Sequence, residues 1–255
     1  EGLAEVTAGF LKGYFGMLSD RLRKRSIFVT IGYSLSALIK PLPGLIPGIG
    51  AVAGSRVLDR VGKGIRTAPR DALLASHSDG NTGAVFGFHR GMDTLGAALG
   101  PVLALILLYF YPGDYALVFL VSFIPSVLAV GATLMVKDKF IEGKERPKGN
   151  YLSFWKNSPK PYRMLLIVVV LFSFVNSSDV FLILKTQKSS DSETLAIIGY
   201  VFYNLVYACA SYPFGKIADR VGKKNVFIAG LGVFSLVYFG FAFFSSIPLI
   251  FLLFT

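Results

Sequence analysis

Arg56, Asp59, Arg60, Lys63, Arg66, Arg70 and Asp71 all fall within one otherwise apolar block, residues 48–76. Placed on a helix at roughly 100° per residue, they occupy about 140° of arc. Val57, Leu58, Val61, Ile65, Ala68, Ala72 and Leu73 take the opposite side, which suits lipid or a packed neighbour. No nucleophile stands beside a base here or elsewhere in the chain, so covalent catalysis is not expected. The pattern suits the holding of charge instead, because arginine forks grip carboxylates and phosphates. Other apolar blocks carry possible partners: Glu1 and Glu5, then His89, Arg90 and Asp93, then Asn176, Ser177, Ser178 and Asp179. Lys12, Lys40 and the basic residues of the stripe, with Arg90, outnumber Glu1, Glu5, Asp59, Asp71, Asp93 and Asp179, leaving a small cationic surplus. That surplus favours an anionic or polar solute. Desolvation raises a carboxylate pKa, so Glu5, Asp93 or Asp179 is a candidate proton carrier. His89 either relays protons or satisfies a local hydrogen bond.

The elements that must position these groups are set by composition. Of 255 residues, 53% are hydrophobic and 16% charged, against about a quarter charged in ordinary soluble proteins. The apolar residues fall in blocks at 1–18, 26–46, 48–76, 84–110, 116–136, 162–184, 194–214 and 225–245, with another beginning at 247. A membrane-spanning helix needs about 20 apolar residues. The expected fold is therefore an all-α, multi-pass membrane protein, and a soluble enzyme is excluded. A charge near the bilayer centre costs about 2.5 to 3.5 kcal/mol, so the stripe at 56–71 must face water or partner charges. A wet translocation cavity and a ladder of ion pairs both meet that condition.

The net charge of +11 lies largely in three intervals, 19–25, 137–163 and 215–224. Basic loops between spans face the cytoplasm, which points to a bacterial inner or plasma membrane rather than to a nucleic-acid partner. Residues 137–161 form the one long polar interval and read as a linker, with 1–136 and 162–255 as helical bundles on either side. Tyr151, Leu152, Phe154 and Trp155 form an interfacial helix or anchor the next span. The single Cys209 permits no intrachain disulfide, and no Cys or His cluster has metal-site spacing. No metal and no cofactor is expected. Glu1 in place of a methionine and the short apolar run from Ile247 to Phe254 lead to the expectation of a chain truncated at both ends.

One decapeptide occurs twice. Gly16, Met17, Leu18, Ser19, Asp20, Arg21, Leu22, Arg23, Lys24, Arg25 shares its frame with Gly215, Lys216, Ile217, Ala218, Asp219, Arg220, Val221, Gly222, Lys223, Lys224. Each copy follows one apolar block and precedes another, so one supersecondary unit recurs in the same orientation, as parallel repeats require. The pair resembles the loop signature of the major facilitator superfamily. Arg56 early in the fourth span resembles that family's second signature, and Gly96, Ala97, Ala98, Leu99, Gly100, Pro101 resembles its glycine-proline signature. Arg23 departs from the family at the glycine of the first loop, and Asp59 and Arg60 stand where glutamine and glycine are usual.

The resemblance implies two pseudo-symmetric bundles, running here from about the second to the tenth of twelve spans, and a secondary transporter working by alternating access. Gly16, Asp20, Arg21, Arg25, Gly215, Asp219 and Arg220 are then conformational gating residues. The expected cavity set is Glu5, Arg56, Asp59, Arg60, Lys63, Arg66, Arg70, Arg90, Asp93 and Asp179. A small-molecule substrate with protons as coupling ion is the favoured variant; a non-transporting membrane sensor that keeps the fold is the competing class.

Overall fold

Inside a bilayer no water satisfies backbone N–H and C=O groups, so a spanning segment closes its hydrogen bonds internally. The computed structural model describes residues 2–46, 48–139, 155–175, 179–244 and 246–255. Among these the helices are α1 (Gly2–Leu22), α2 (Arg25–Ile39), α3 (Leu42–Leu45), α4 (Ile49–Ser76), α5 (Thr82–Phe110), α6 (Tyr115–Val121), α7 (Phe123–Leu134), α8 (Lys160–Val175), α9 (Asp179–Ser190), α10 (Glu193–Val221), α11 (Lys223–Phe243) and α12 (Ile247–Leu253). Among the described residues, five stretches are long and apolar enough to cross a membrane: Arg25–Leu45, Thr82–Phe110, Tyr115–Leu134, Thr194–Val221 and Lys223–Phe243. The 28-residue α4 has the length, but its charged stripe removes it from that set.

Three boundaries differ from the hydropathy reading, each for a local reason. The repeated decapeptides are not loops for most of their length, since α1 continues to Leu22 and α10 to Val221. Backbone hydrogen bonding carries a helix on through charged residues once its end has left the apolar zone. The sixth span is split at Ser122, where Pro125 has no N–H to offer Val121 and its ring crowds that carbonyl. The polar run from Lys185 to Ser190, expected as a loop, is the last part of α9.

Both decapeptides close with a left-handed residue. Gly222 has φ +101°, and its N–H donates to the Ala218 carbonyl at 3.1 Å. In the first copy Arg23 adopts φ +52°, and the following Lys24 N–H reaches back to the Ser19 carbonyl at 3.3 Å. These are the two common helix C-terminal motifs, and both favour glycine at the left-handed position. Position 23 therefore keeps the backbone of the family's glycine without its side-chain freedom.

The chain clusters into two compact units, residues 1–140 with 204–232, and residues 141–203 with 233–255. In the first, α4 packs along α1 and α2, α2 along α7, and α3 against α6. The contacts are made by small residues. A Cβ at Gly62 would stand 2.8 Å from both the Gly32 carbonyl and the Ser36 hydroxyl, and one at Gly16 would stand 2.9 Å from the Ala68 Cβ. The second unit has a core of Phe241, Ile250 and Phe254, covered by Phe202, Tyr203, Val237 and Leu253. Large apolar side chains face outward: Phe10 is 79% exposed, Tyr109 80% and Leu236 72%, whereas Ser19, Ser36, Thr94, Thr186 and Asn204 are buried. An apolar exterior over a small and polar interior fits a hydrocarbon solvent.

Left-handed backbone costs a non-glycine residue about 1 to 2 kcal/mol. Arg23→Gly is therefore expected to raise the thermal unfolding temperature of the detergent-purified protein, and Gly222→Arg to lower it. A lower melting temperature for Arg23→Gly would show that the Arg23 side chain contributes more than its backbone costs.

Candidate functional site

The charged flank of α4 divides into an anchored end and a middle. Towards Ser76, Arg66 Nη1 donates to the Gly32 carbonyl at 3.2 Å and to Ser36 Oγ at 2.5 Å. Its guanidinium lies over the Tyr33 ring, 4.5 Å from the centroid. Arg70 donates from Nε and Nη2 to Asp71 Oδ1 at 3.1 and 2.9 Å. Both arginines thus bond to protein groups, Arg66 to α2 across the glycine contact that brings α2 and α4 together. Ile65 and Pro69 on the far side are buried, as is Leu73 next to the stripe, so α4 meets neighbouring helices there, while Val57 and Leu58 are exposed. Midway along the helix Asp59, Arg60 and Lys63 are half-buried, and Arg56 is exposed nearer the other end.

A second arrangement joins α5, which precedes the basic linker, to α10, which follows it. Gly83, Gly87 and Gly91 lie one turn apart on one face of α5, and Ala208, Ser211 and Gly215 face them from α10. A Cβ at Gly83 would strike the Gly215 carbonyl, one at Gly87 the Ser211 carbonyl, and one at Gly91 would stand 2.9 Å from the Ala208 carbonyl. Backbone meets backbone along this seam. At its basic-loop end Asp219 accepts from the N–H of Gly83 at Oδ1 and of Ala84 at Oδ2, each at 2.8 Å. These donors are among the N–H groups that the first turn of α5 cannot bond within the helix, and the helix dipole favours the anion there. Lys223 bonds Thr82 Oγ1 and lies 4.0 Å from Asp219.

Further polar ties hold the same end of the first unit. Asp20 Oδ1 accepts from Arg25 Nε at 3.0 Å and Nη2 at 2.7 Å. Asp138 receives the Ser26 N–H and hydroxyl at the start of α2, both at 2.9 Å, and Lys139 pairs with Asp79 at 3.1 Å. Farther along the seam, Arg90 Nε donates to the Tyr207 hydroxyl at 3.1 Å and Nη1 reaches Asp93 at 3.4 Å.

The expected gating residues therefore separate by environment. Gly16 and Gly215 sit in helix contacts, Asp20, Arg25 and Asp219 in polar ties, and Arg21 and Arg220 are exposed. Of the expected cavity residues, Arg66 and Arg70 are anchored; Asp59, Arg60 and Lys63 share the middle of α4; Arg90 and Asp93 lie together on α5. Glu5 and Asp179 stand on α1 and α9, but their side chains lie outside the described residues, as do Glu1, Asn176, Ser177, Ser178 and the segment from Tyr151 to Phe154. Of the glycines in helical spacing on α5, Gly96 and Gly100 face open space. Sequence reasoning missed Asp138, Ser26, Tyr33, Ser36 and Tyr207. The recurrence of small residues every three or four positions at Ala208, Ser211 and Gly215 was the available signal for the α10 face.

Spanning helices, an apolar exterior and an intramembrane charged flank define a multi-pass membrane protein. The chain belongs to the Major Facilitator Superfamily, whose profile matches residues 2–255, as the paired decapeptides led one to expect. It is 36% identical, over 99% of its own length, to an uncharacterized MFS-type transporter of Methanocaldococcus jannaschii, and spans 65% of that relative. Uncharacterized proteins of Mycobacterium tuberculosis and Mycobacterium bovis are 34% identical over 103 residues, 40% of this chain and 25% of theirs.

Inserting methyl groups should separate the seam from its surroundings. Gly87→Ala forces two backbones apart, and overpacking of this kind costs about 1 to 3 kcal/mol, so its melting temperature should fall. Gly96→Ala meets nothing within 4 Å and should leave the melting temperature unchanged or raise it, since alanine is the better helix former by about 1 kcal/mol. Equal responses at the two positions would contradict the packed seam.

Proposed function

We propose that the full-length protein is a secondary active transporter that moves a small anionic or polar solute by alternating access, driven by protons. The observation that carries this reading is the half-buried group Asp59, Arg60 and Lys63 midway along α4. It lies on the flank away from buried Ile65, where lipid contact would cost several kcal/mol. Its two cations to one carboxylate suit an anion. Asp93, with Glu5 and Asp179, is the candidate proton carrier on this reading.

The basic loops and the linker face the cytoplasm, by the charge rule that orients inner-membrane proteins. Residues 1–136 and 162–255 are the two rocking bundles, joined by the linker at 137–161. Closure of α5 onto α10 through Gly83, Gly87, Gly91 and Asp219 then seals the cytoplasmic end, and Asp20 with Arg25 braces the neighbouring turn. The bundles part along this seam to release solute inward.

Flux of anionic solutes into proteoliposomes under an imposed pH gradient tests the whole reading. Lys63→Ala should abolish flux in protein that remains folded and inserted; bound solute without flux in the parent protein would favour a sensor. In a Cys209→Ala background, a cysteine at position 63 should react with a water-soluble thiol reagent while one at position 65 stays unreactive. Equal protection at both positions in every condition would make the stripe a dry ladder of ion pairs. Asp20→Asn should slow turnover more than it weakens solute affinity, and unchanged transport in that variant would remove the brace from the mechanism.

A further inference from the structure

Arg90 lies between two levels of the glycine seam, one turn beyond Gly87 and next to Gly91, and its partner Tyr207 adjoins Ala208 on the facing helix. The guanidinium binds the tyrosine in two ways. Its Nε donates to the hydroxyl at 3.1 Å, and its carbon lies 5.1 Å from the ring centroid, within cation–π range. A third contact, from Nη1 to Asp93 at 3.4 Å, stays within α5. The side chains of Arg90 and Asp93 are 54% and 59% exposed, so this bridge crosses the seam at its open flank. None of the repeated decapeptide residues takes part in it.

We propose that Tyr207 is a positioning residue that latches the cytoplasm-closed state through Arg90, a role that rests on the alternating-access reading above. At this level α5 and α10 touch backbone to backbone, so their relative position fixes the reach of the two side chains. Asp93 holds Arg90 to its own helix. When the helices part, the hydroxyl leaves with α10 beyond the 3.2 Å or so that a hydrogen bond spans, while the Arg90–Asp93 pair remains. The latch bond therefore exists in one state and not in the other, which is the condition for a contact to bias a two-state equilibrium. It differs from the Asp219 contact in kind. Asp219 binds main-chain N–H groups at the cytoplasmic rim, whereas Tyr207 binds an ionisable side chain within the membrane span, beside the Asp93 carboxylate.

The test uses the full-length protein in lipid nanodiscs, in a Cys209→Ala background, with spin labels on cysteines introduced at the exposed positions Lys24 and Lys224. Pulsed EPR reads the ratio of long to short label separations. Tyr207→Phe keeps the ring and removes the hydroxyl; loss of one hydrogen bond to a charged group should raise the cytoplasm-open fraction relative to the closed about ten-fold. Tyr207→Leu, which removes the ring as well, should raise it further. An unchanged melting temperature for Tyr207→Phe separates a shift in population from general loosening. A parent protein that interconverts between two separations, with Tyr207→Phe giving the same ratio, overturns the latch and leaves alternating access standing. One fixed separation in the parent under all conditions overturns both.

Discussion

Hydrocarbon gives apolar side chains no reason to leave it, so helices in a bilayer adhere only where their surfaces fit closely or share hydrogen bonds. That constraint accounts for most of the packing described here. The contacts of α4 with α1 and α2 run through Gly16, Gly32 and Gly62, and those of α5 with α10 through Gly83, Gly87, Gly91 and Gly215. Large side chains are left to the exterior. A close fit also brings peptide carbonyls and hydroxyls near one another, which gives Arg66 its acceptors on α2.

Where helices emerge, the free N–H groups of their first turns become the dominant polar feature. Two carboxylates from distant parts of the chain use them in the same way: Asp219 at the start of α5 and Asp138 at the start of α2. At Asp219 the N–H donors of Ala84 and Gly83 hold the carboxyl pKa below its ordinary value, so that it serves both the helix dipole and nearby Lys223. Ties of this kind lie where water can replace them. A covalent or deeply buried tie would lack that reversibility.

The charged flank of α4 carries two different physical answers to the problem of charge in lipid. Arg66 and Arg70 are bonded to a neighbouring helix, a ring and an adjacent carboxylate, which makes them part of the scaffold. The ladder and cavity alternatives are therefore not exclusive along one helix. Anchoring arginines on the same helix hold the middle of the stripe, with Asp59, Arg60 and Lys63, in a defined place.

The helical class, the number and rough limits of the apolar blocks, the paired decapeptides and the narrow charged arc were legible in the sequence. Each is a local property: hydropathy over a turn or two, or angle around one helix axis. Even the left-handed turn at Arg23 was foreshadowed by the glycine at the matching position 222. Which surfaces meet was decided only by the tertiary structure. Gly83, Gly87 and Gly91 line one face of α5 and Gly96 and Gly100 another, but that the first face meets a neighbouring backbone and the second open space is not written in their spacing. Ser26 with Asp138, and Arg90 with Tyr207, are pairs of ordinary residues far apart in the chain. Their partnership depends on helix positions set by the sum of many small contacts, and no single stretch of sequence contains that sum.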